Sequence, residues 1–226
     1  MSESYRQRAS RWGVEDVLHR YPALRLAPAS PGALRLVGTL RFSARSQRKE
    51  SIEDEYDIDL SVEDSFPNKL PVARETQGRI PDTQHKNPDG SLCLGSPTRL
   101  RLATFDGSPL LSFVEHCLIP YLYGYSYFER YGAWPFGELK HGERGIREDF
   151  ASLFHINGEE SVAAFVRLAA MKKRLANRAK CPCESGRRVG RCHNRLINPL
   201  RKRLGRTWFR FVTFATPAAD APQTPR

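Results

Sequence analysis

The sequence lacks any apolar run approaching the roughly 20 residues that a membrane-spanning helix needs. Residues 1–12 are polar and contain no apolar signal core, which argues against secretion. The five cysteines are odd in number, so disulfides cannot pair them all, and three fall with a histidine inside residues 181–193. We therefore expect a cytoplasmic protein, not bound to membranes, whose clustered cysteines bind metal in a reducing compartment.

Acidic residues are scarce in the last quarter of the chain. Residues 172–226 contain 15 Lys and Arg but only two acids, Glu184 and Asp220, which gives a net charge of +13. Residues 1–171 contain 21 basic and 23 acidic residues, or −2. This asymmetry predicts either a separate C-terminal module with an anionic partner or a solvated basic surface without a ligand.

Hydrophobic periodicity predicts an α+β fold. Apolar residues at helical spacing predict a helix over 10–21, and strict alternation predicts strands over 34–42 and 56–62. A third strand is expected within 72–80, which gives an antiparallel meander. An apolar helix should begin at Ser108-Pro109 and run over 110–127, where Pro120 should kink or split it, with further helices over 148–155 and 159–179.

The most informative loop is His85-Lys86-Asn87-Pro88-Asp89-Gly90-Ser91-Leu92-Cys93-Leu94. It follows a Pro-flanked bend, residues 66–71, and places Cys93 six residues after Asn87. A thiolate that forms an acyl intermediate needs an exposed sulfur and a hydrogen-bond donor for the oxyanion, both of which a turn-rich loop can present. The other reading of Cys93 is a thiol at the start of a buried strand, as Cys117 in the apolar helix should be a buried, inert thiol.

The order of these parts over residues 10–130 resembles the E2 ubiquitin-conjugating (UBC-like) family. The Asn87-to-Cys93 spacing is shorter than in eukaryotic members and resembles bacterial E2-like proteins, which occur with E1-like and ubiquitin-like partners, often in defence operons. The resemblance implies that Cys93 carries a ubiquitin-like protein as a thioester. It further implies that Asn87 stabilises the oxyanion or the loop, and that His85 is a packing residue.

A second loop, residues 134–142, gathers aromatics, a carboxylate and an imidazole between glycines. It could fold over the cysteine site, where His141 or Glu138 would deprotonate an acceptor. The alternative is a surface loop anchored by Trp134 and Phe136.

The cysteine cluster has the spacing Cys181-Pro182-Cys183, eight residues, then Cys192-His193. These four ligands suit a tetrahedral, closed and therefore structural Zn²⁺ site. The spacing and the Cys-Pro-Cys-x-Ser-Gly-Arg core resemble the SEC-C motif, whose modules usually bind proteins.

The predicted organisation is an E2-like domain with a helical extension over 1–170, a basic zinc module over 171–215 and a disordered tail over 216–226. The leading hypothesis is a bacterial E2-like transferase that works with an E1-like enzyme and a ubiquitin-like protein. It would bind its protein target through the zinc module and act in ubiquitin-like conjugation or anti-phage defence. One alternative is a non-catalytic adaptor that binds a ubiquitin-like protein. The other, less favoured, is a zinc-module protein that binds nucleic acid through its arginines.

Overall fold

In the computed structural model, the described residues are 5–46, 49–104, 107–136 and 142–215. The chain divides into two compact units, Met1–Leu139 and Lys140–Arg226. The boundary predicted at residue 170 is based on the change in net charge and stays a prediction. The contacts within each part of the chain place the boundary between the two units at Leu139 and Lys140. None of the helices in the described residues combines the length and apolar character of a membrane crossing.

The first unit contains two short helices, a four-stranded sheet and a helical C-terminal part. The strands are antiparallel and lie in the order β1-β2-β3-β4, which confirms the antiparallel meander. The elements are α1 (Tyr5–Trp12), α2 (Val14–Arg20), β1 (Leu24–Ala27), β2 (Leu34–Arg45), β3 (Ser51–Val62), β4 (Val72–Glu75), α3 (Pro97–Ala103), α4 (Pro109–Phe113), a π-helical turn (Val114–Leu118) and α5 (Ile119–Tyr131).

The two long strands form because each presents one apolar face to the core. Leu36 pairs with Leu60 and Leu40 with Tyr56, and all four side chains are buried. On the opposite face charged side chains bond diagonally across the strands, as in Arg35 and Asp59, whose side chains form hydrogen bonds of 2.6–3.0 Å. This alternation fixes the register, because a slip of one residue would turn the apolar face to water.

The apolar helix begins at Pro109, as predicted, but its irregular part precedes Pro120. A π-helical turn spans Val114–Leu118, and α5 follows without a break to Tyr131. Proline lacks an N–H and its ring would collide with the carbonyl four residues earlier, at His116. A widened turn at that place relieves the collision and keeps the helix continuous.

The second unit is helical. Its elements are α6 (Gly142–Phe154), α7 (Glu159–Ala170), α8 (Lys173–Arg178), a 3₁₀ turn (Val189–Arg191) and α9 (Asn194–Ala215), which is interrupted at Gly205 by a φ of 77°. Buried aromatic rings from α6, α7 and α9 pack together with centroids 5.4–5.8 Å apart, and they are Phe150, Phe154, Phe165 and Phe209.

Three predicted elements differ from the structure. The predicted helix over 10–21 is two helices, separated at Gly13, whose φ is 74°. The predicted helix over 159–179 is also two, because Met171 and Lys172 are extended between α7 and α8. The predicted third strand is short, Val72–Glu75, since the backbone beyond Thr76 turns away from β3.

Candidate metal centre and Cys93 loop

The candidate metal centre lies in a tight hairpin between α8 and α9. Cys181 N–H donates to the carbonyl of Arg187 at 2.8 Å, and Lys180 forms an antiparallel bridge with Arg188. Glu184 and Gly186 take left-handed φ angles of 59° and 70° and so reverse the chain between the two ligand pairs. The hairpin thereby returns the second pair to the first.

The four predicted ligands come together in this hairpin. Cys183 Sγ lies 3.4 Å from Cys181 Sγ and 3.5 Å from Cys192 Sγ. Nδ1 of His193 lies 3.2 Å from the sulfurs of both Cys181 and Cys192. All four ligand atoms lie within 4.8 Å of one another. Thiolates bound tetrahedrally to zinc at about 2.3 Å stand about 3.7 Å apart, so the cluster fits that ion.

The surroundings of the ligands are unequal. Burial raises the pKa of Cys181 to about 12. Burial also opposes ionisation of Cys183, but hydrogen bonding, with Ser185 foremost, lowers the pKa of Cys183 to about 6. A bound divalent cation would displace the remaining thiol protons, since metal ligation requires the thiolate form.

Two further residues support the cluster. The Ser185 hydroxyl lies 3.2 Å from Cys183 Sγ and 3.4 Å from Cys192 Sγ, within hydrogen-bonding reach of both sulfurs. The imidazole of His193 packs edge-on against Phe165, with ring centroids 4.9 Å apart. Ser185 belongs to the Cys-Pro-Cys-x-Ser-Gly-Arg core, and its position two residues after Cys183 is the sequence signal for this contact.

The Cys93 loop is a small hydrogen-bonded hairpin in the first unit. Cys93 N–H donates to the carbonyl of His85 at 2.8 Å, and Asn87 N–H donates to the carbonyl of Ser91 at 2.8 Å. Between these bonds Lys86 forms an antiparallel bridge with Leu92. The hairpin is joined to the sheet because Leu92 N–H donates to the β4 carbonyl of Ala73 at 2.8 Å.

Polar side chains close the tip of this hairpin. Asn87 Nδ2 donates to Ser91 Oγ at 2.9 Å, and Ser91 Oγ donates to the carboxylate of Asp89 at 2.6 Å. Arg74 of β4 donates to the same carboxylate at 2.9 Å. The pKa of Asp89 is lowered, chiefly by hydrogen bonds from the side chain and backbone N–H of Ser91. In this arrangement the Asn87 amide is engaged in holding the loop.

Cys93 and Cys117 differ in access. Cys93 is half-buried, whereas Cys117 is 2% exposed and its sulfur faces the carbonyl of Leu100. Burial raises the pKa of Cys117 to about 12. A thiol that is both inaccessible and protonated is a poor nucleophile, so Cys117 is a packing residue.

An aromatic cluster from α5 and the segment after it backs the Cys93 loop. The Trp134 ring lies 4.8 Å from the His85 ring in an edge-on arrangement and 5.9 Å from the ring of Tyr121. Tyr121 Oη donates to the carbonyls of Gln84 and His85 at 2.8 and 3.3 Å. His85 is thus a packing residue in this structure, with a left-handed φ of 48°. No local sequence signal linked Tyr121 to Cys93.

The second predicted loop is only partly described. Trp134 is half-buried against the aromatic cluster, and the Phe136 ring lies 6.1 Å from that of Tyr123 although Phe136 is 52% exposed. His141 and Glu138 lie outside the described residues, as does the predicted tail over 216–226.

The second unit exposes many cations in residues 172–215, the stretch that contains the candidate metal centre. Glu184 is the one acidic residue in residues 172–215. The exposed basic residues of this region are Lys172, Lys173, Arg174, Arg178, Lys180, Arg187, Arg188, Arg191, Arg195, Lys202 and Arg210. Such a surface attracts anionic partners in a salt-dependent way.

Comparison with known proteins finds no matching protein family, no matching curated protein and no matching solved structure.

Proposed function

We propose that the protein is an E2-like transferase that carries a ubiquitin-like protein as a thioester on Cys93. The observation that carries the proposal is the half-buried Cys93 thiol at the base of a hairpin that Asn87, Ser91 and Asp89 hold closed. A meander of four antiparallel strands leading into that hairpin is consistent with the resemblance. Because Cys117 is buried and its pKa is raised, Cys93 is the better candidate for a reactive thiol in the first unit.

The proposed chemistry is thioester exchange. The Cys93 thiolate attacks the carbonyl carbon of the ubiquitin-like C-terminus held on an E1-like cysteine, a new C–S bond forms, and the E1 thiolate leaves. A neutral acceptor nucleophile on the target then attacks the same carbon and loses its proton to solvent, the C–S bond breaks, and Cys93 is released as a thiolate. The Asn87 amide donates one of its two N–H groups to Ser91, and this bond favours the loop-stabilising role.

The metal centre has a separate role in this proposal. Its four protein ligands fill a tetrahedral Zn²⁺ and leave no place for a reacting water, so the metal would be structural. The exposed cations around it would bind the protein target. In this division of labour the first unit performs the transfer and the second selects what is modified.

Thioester trapping tests the proposal. The protein is incubated with ATP, an E1-like enzyme and a ubiquitin-like protein, and adducts are separated with and without reducing agent. The wild type should give a thiol-sensitive adduct, Cys93→Ser a more stable oxyester and Cys93→Ala no adduct. Cys117→Ala is the matched control and should load normally. A reducible adduct that persists in Cys93→Ala would contradict the assignment.

The adaptor alternative is separated by the same experiment. An adaptor would bind the ubiquitin-like protein in a pull-down without forming any adduct, and binding would survive in Cys93→Ala.

A second candidate function, nucleic-acid binding, is favoured by one observation. Three exposed cations, Arg195, Lys202 and Arg210, lie in α9 together with Phe211, whose side chain is 62% exposed. Basic residues with an exposed aromatic ring are suited to single strands, whose bases stack on such rings. Salt-dependent binding of generic single-stranded DNA or RNA would support this function, and its absence at low salt would exclude it.

A further inference from the structure

Tyr121 of α5 holds the backbone on which Cys93 rests. Its hydroxyl donates to two successive carbonyls, 2.8 Å from that of Gln84 and 3.3 Å from that of His85. The His85 carbonyl also accepts the N–H of Cys93 at 2.8 Å. One carbonyl therefore joins the tyrosine hydroxyl to the amide of the candidate nucleophile.

The segment held in this way is strained. His85 has a φ of 48°, a conformation that costs free energy for a residue with a side chain. Such a conformation persists only where its surroundings enforce it. The hydroxyl of Tyr121 on one side and the ring of Trp134 on the other supply that enforcement, with the His85 and Trp134 rings 4.8 Å apart.

The helix is shaped to receive the same tryptophan. A Cβ added at Gly124 would lie 2.9 Å from the Trp134 ring, closer than side chains tolerate. Gly124 therefore allows Trp134 to lie against α5, where it contacts both Tyr121 and His85. Two aromatic residues of one cluster thus bear on the same two-residue segment.

Tyr121 remains a hydrogen-bond donor at any working pH. The residue is 7% exposed, and burial raises its pKa above the ordinary value of a phenol. The second cause of the raised pKa of Tyr121 is the negative charge of a Cys93 thiolate, because the two side chains lie near each other. The hydroxyl therefore stays protonated when the thiol ionises.

We infer that Tyr121 is the positioning residue for Cys93: through the His85 carbonyl it fixes the backbone from which the thiol is presented. The inference rests on the proposed function for its meaning in catalysis, although the positioning itself can be measured without any partner. Tyr121 acts through the backbone, and no part of the transfer is assigned to its own oxygen.

The test compares Tyr121→Phe with Tyr123→Phe. Both changes remove one hydroxyl from a buried tyrosine of α5 that donates to a backbone carbonyl, since Tyr123 donates to Glu50 at 3.0 Å. Both variants therefore lose a buried hydroxyl bonded to the backbone, and they differ in whether that hydroxyl supports the Cys93 hairpin. Iodoacetamide labelling of the Cys93 peptide, followed by mass spectrometry across pH 6–9, reports how the thiol is presented.

We expect labelling of Cys93 in Tyr121→Phe to accelerate by about five-fold, the change that corresponds to losing one ordinary hydrogen bond. Tyr123→Phe should label at the wild-type rate while losing similar thermal stability. Equal labelling rates in the two variants would overturn the inference. If Tyr121→Phe is too unstable to label, hydrogen exchange of the Cys93 amide in the wild type decides: slow exchange supports a held segment, and exchange at the rate of an exposed loop refutes it.

Failure of the proposed function would be visible separately. Thioester trapping of the wild type reports on that function, whereas the labelling comparison needs neither an E1-like enzyme nor a ubiquitin-like protein. If the wild type forms a thioester, Tyr121→Phe should discharge it to acceptor more slowly than Tyr123→Phe does.

Discussion

The guanidinium of Arg201 in α9 donates to the carbonyl oxygen of Leu168 at 2.6 Å, and so caps the C-terminal end of α7. The same group donates to the carbonyl of Ala169 at 2.9 Å and to Asn198 Oδ1 at 3.0 Å. Arg206 adds a bond to the carbonyl of Ala170 at 3.2 Å. The last carbonyls of a helix have no partner within it, so these arginines explain how α7 ends at Ala170 inside the second unit.

Arg201→Met should destabilise the second unit. The substitution preserves much of the apolar stem but leaves buried carbonyls without a donor, which should cost about 3 kcal/mol. Hydrogen exchange of α7 and α9 peptides in a denaturant series measures the change. The exposed neighbour Lys202→Met is the control and should change stability little, so an equal effect of both substitutions would show that the carbonyl bonds are not responsible.

The metal centre should hold one Zn²⁺ per chain. Metal analysis after dialysis should give that stoichiometry, and His193→Ala should lower it, because a tetrahedral site loses a ligand. Chelation should unfold the metal-binding hairpin, because so short a segment buries little apolar surface of its own, and leave the first unit folded. Cys117→Ala should retain full metal content, and a folded, metal-free hairpin would refute the assignment.

Ser185→Ala should weaken the hold on zinc without removing a ligand. The serine hydroxyl reaches the sulfurs of Cys183 and Cys192, and loss of such an outer partner lowers metal affinity by about ten-fold. Competition with a chromophoric chelator measures the affinity. Ser161→Ala is the matched control, because the Ser161 hydroxyl donates to the carbonyl of Pro182 and to no ligand sulfur among its described bonds.

Asp54 should contribute stability to the first unit that acid removes. Burial opposes its ionisation, but hydrogen bonds from Arg79 and Ser126 lower the pKa of Asp54 to about 2. The unfolded value is about 3.9, so the contribution is complete above that pH and is lost as the pH falls towards 2. Urea unfolding should therefore show Asp54→Asn less stable than the wild type at pH 6, with the difference shrinking below pH 4. A difference that stays constant across this range would contradict the assignment.

The basic surface should bind its target through charge. Reversal of Arg187, Arg188 and Arg191 to Glu should weaken binding of the modified target, most strongly at low salt, because screening already weakens the attraction at high salt. Zinc content should not change, since none of the three is a ligand. Reversal of the exposed Arg6, Arg25 and Arg99 of the first unit is the control of equal charge. Equal losses in the two triple variants would assign the effect to net charge alone.

Sequence alone predicted the parts of the fold that repeat regularly. The alternation of Leu36 and Leu40 in β2, and of Tyr56 and Leu60 in β3, reports one buried face directly. β1 was missed because Leu24–Ala27 is too short to show a pattern. α3 was missed although Ser96 and Pro97 form a typical helix start.

The two candidate sites differ in how far local sequence could describe them. The ligands of the metal centre lie close along the chain, so their spacing was enough to predict the cluster that the structure brings together. The surroundings of Cys93 depend on Tyr121 and Trp134, which reach it only through the packing of α5. No periodicity relates those residues to the loop, so the sequence could indicate the hairpin but not what holds it.

The metal hairpin also bears on the order in which the second unit can be assembled. Its ligands are confined to residues 181–193, and closing so short a stretch of chain sacrifices little freedom. The carbonyl of the last ligand, His193, accepts the N–H groups of Leu196 and Ile197, so a closed hairpin already sets the direction of the first turn of α9. Closure of the hairpin around a metal ion can therefore precede the rest of folding, and α9 would then form outward from the hairpin and pack against α7.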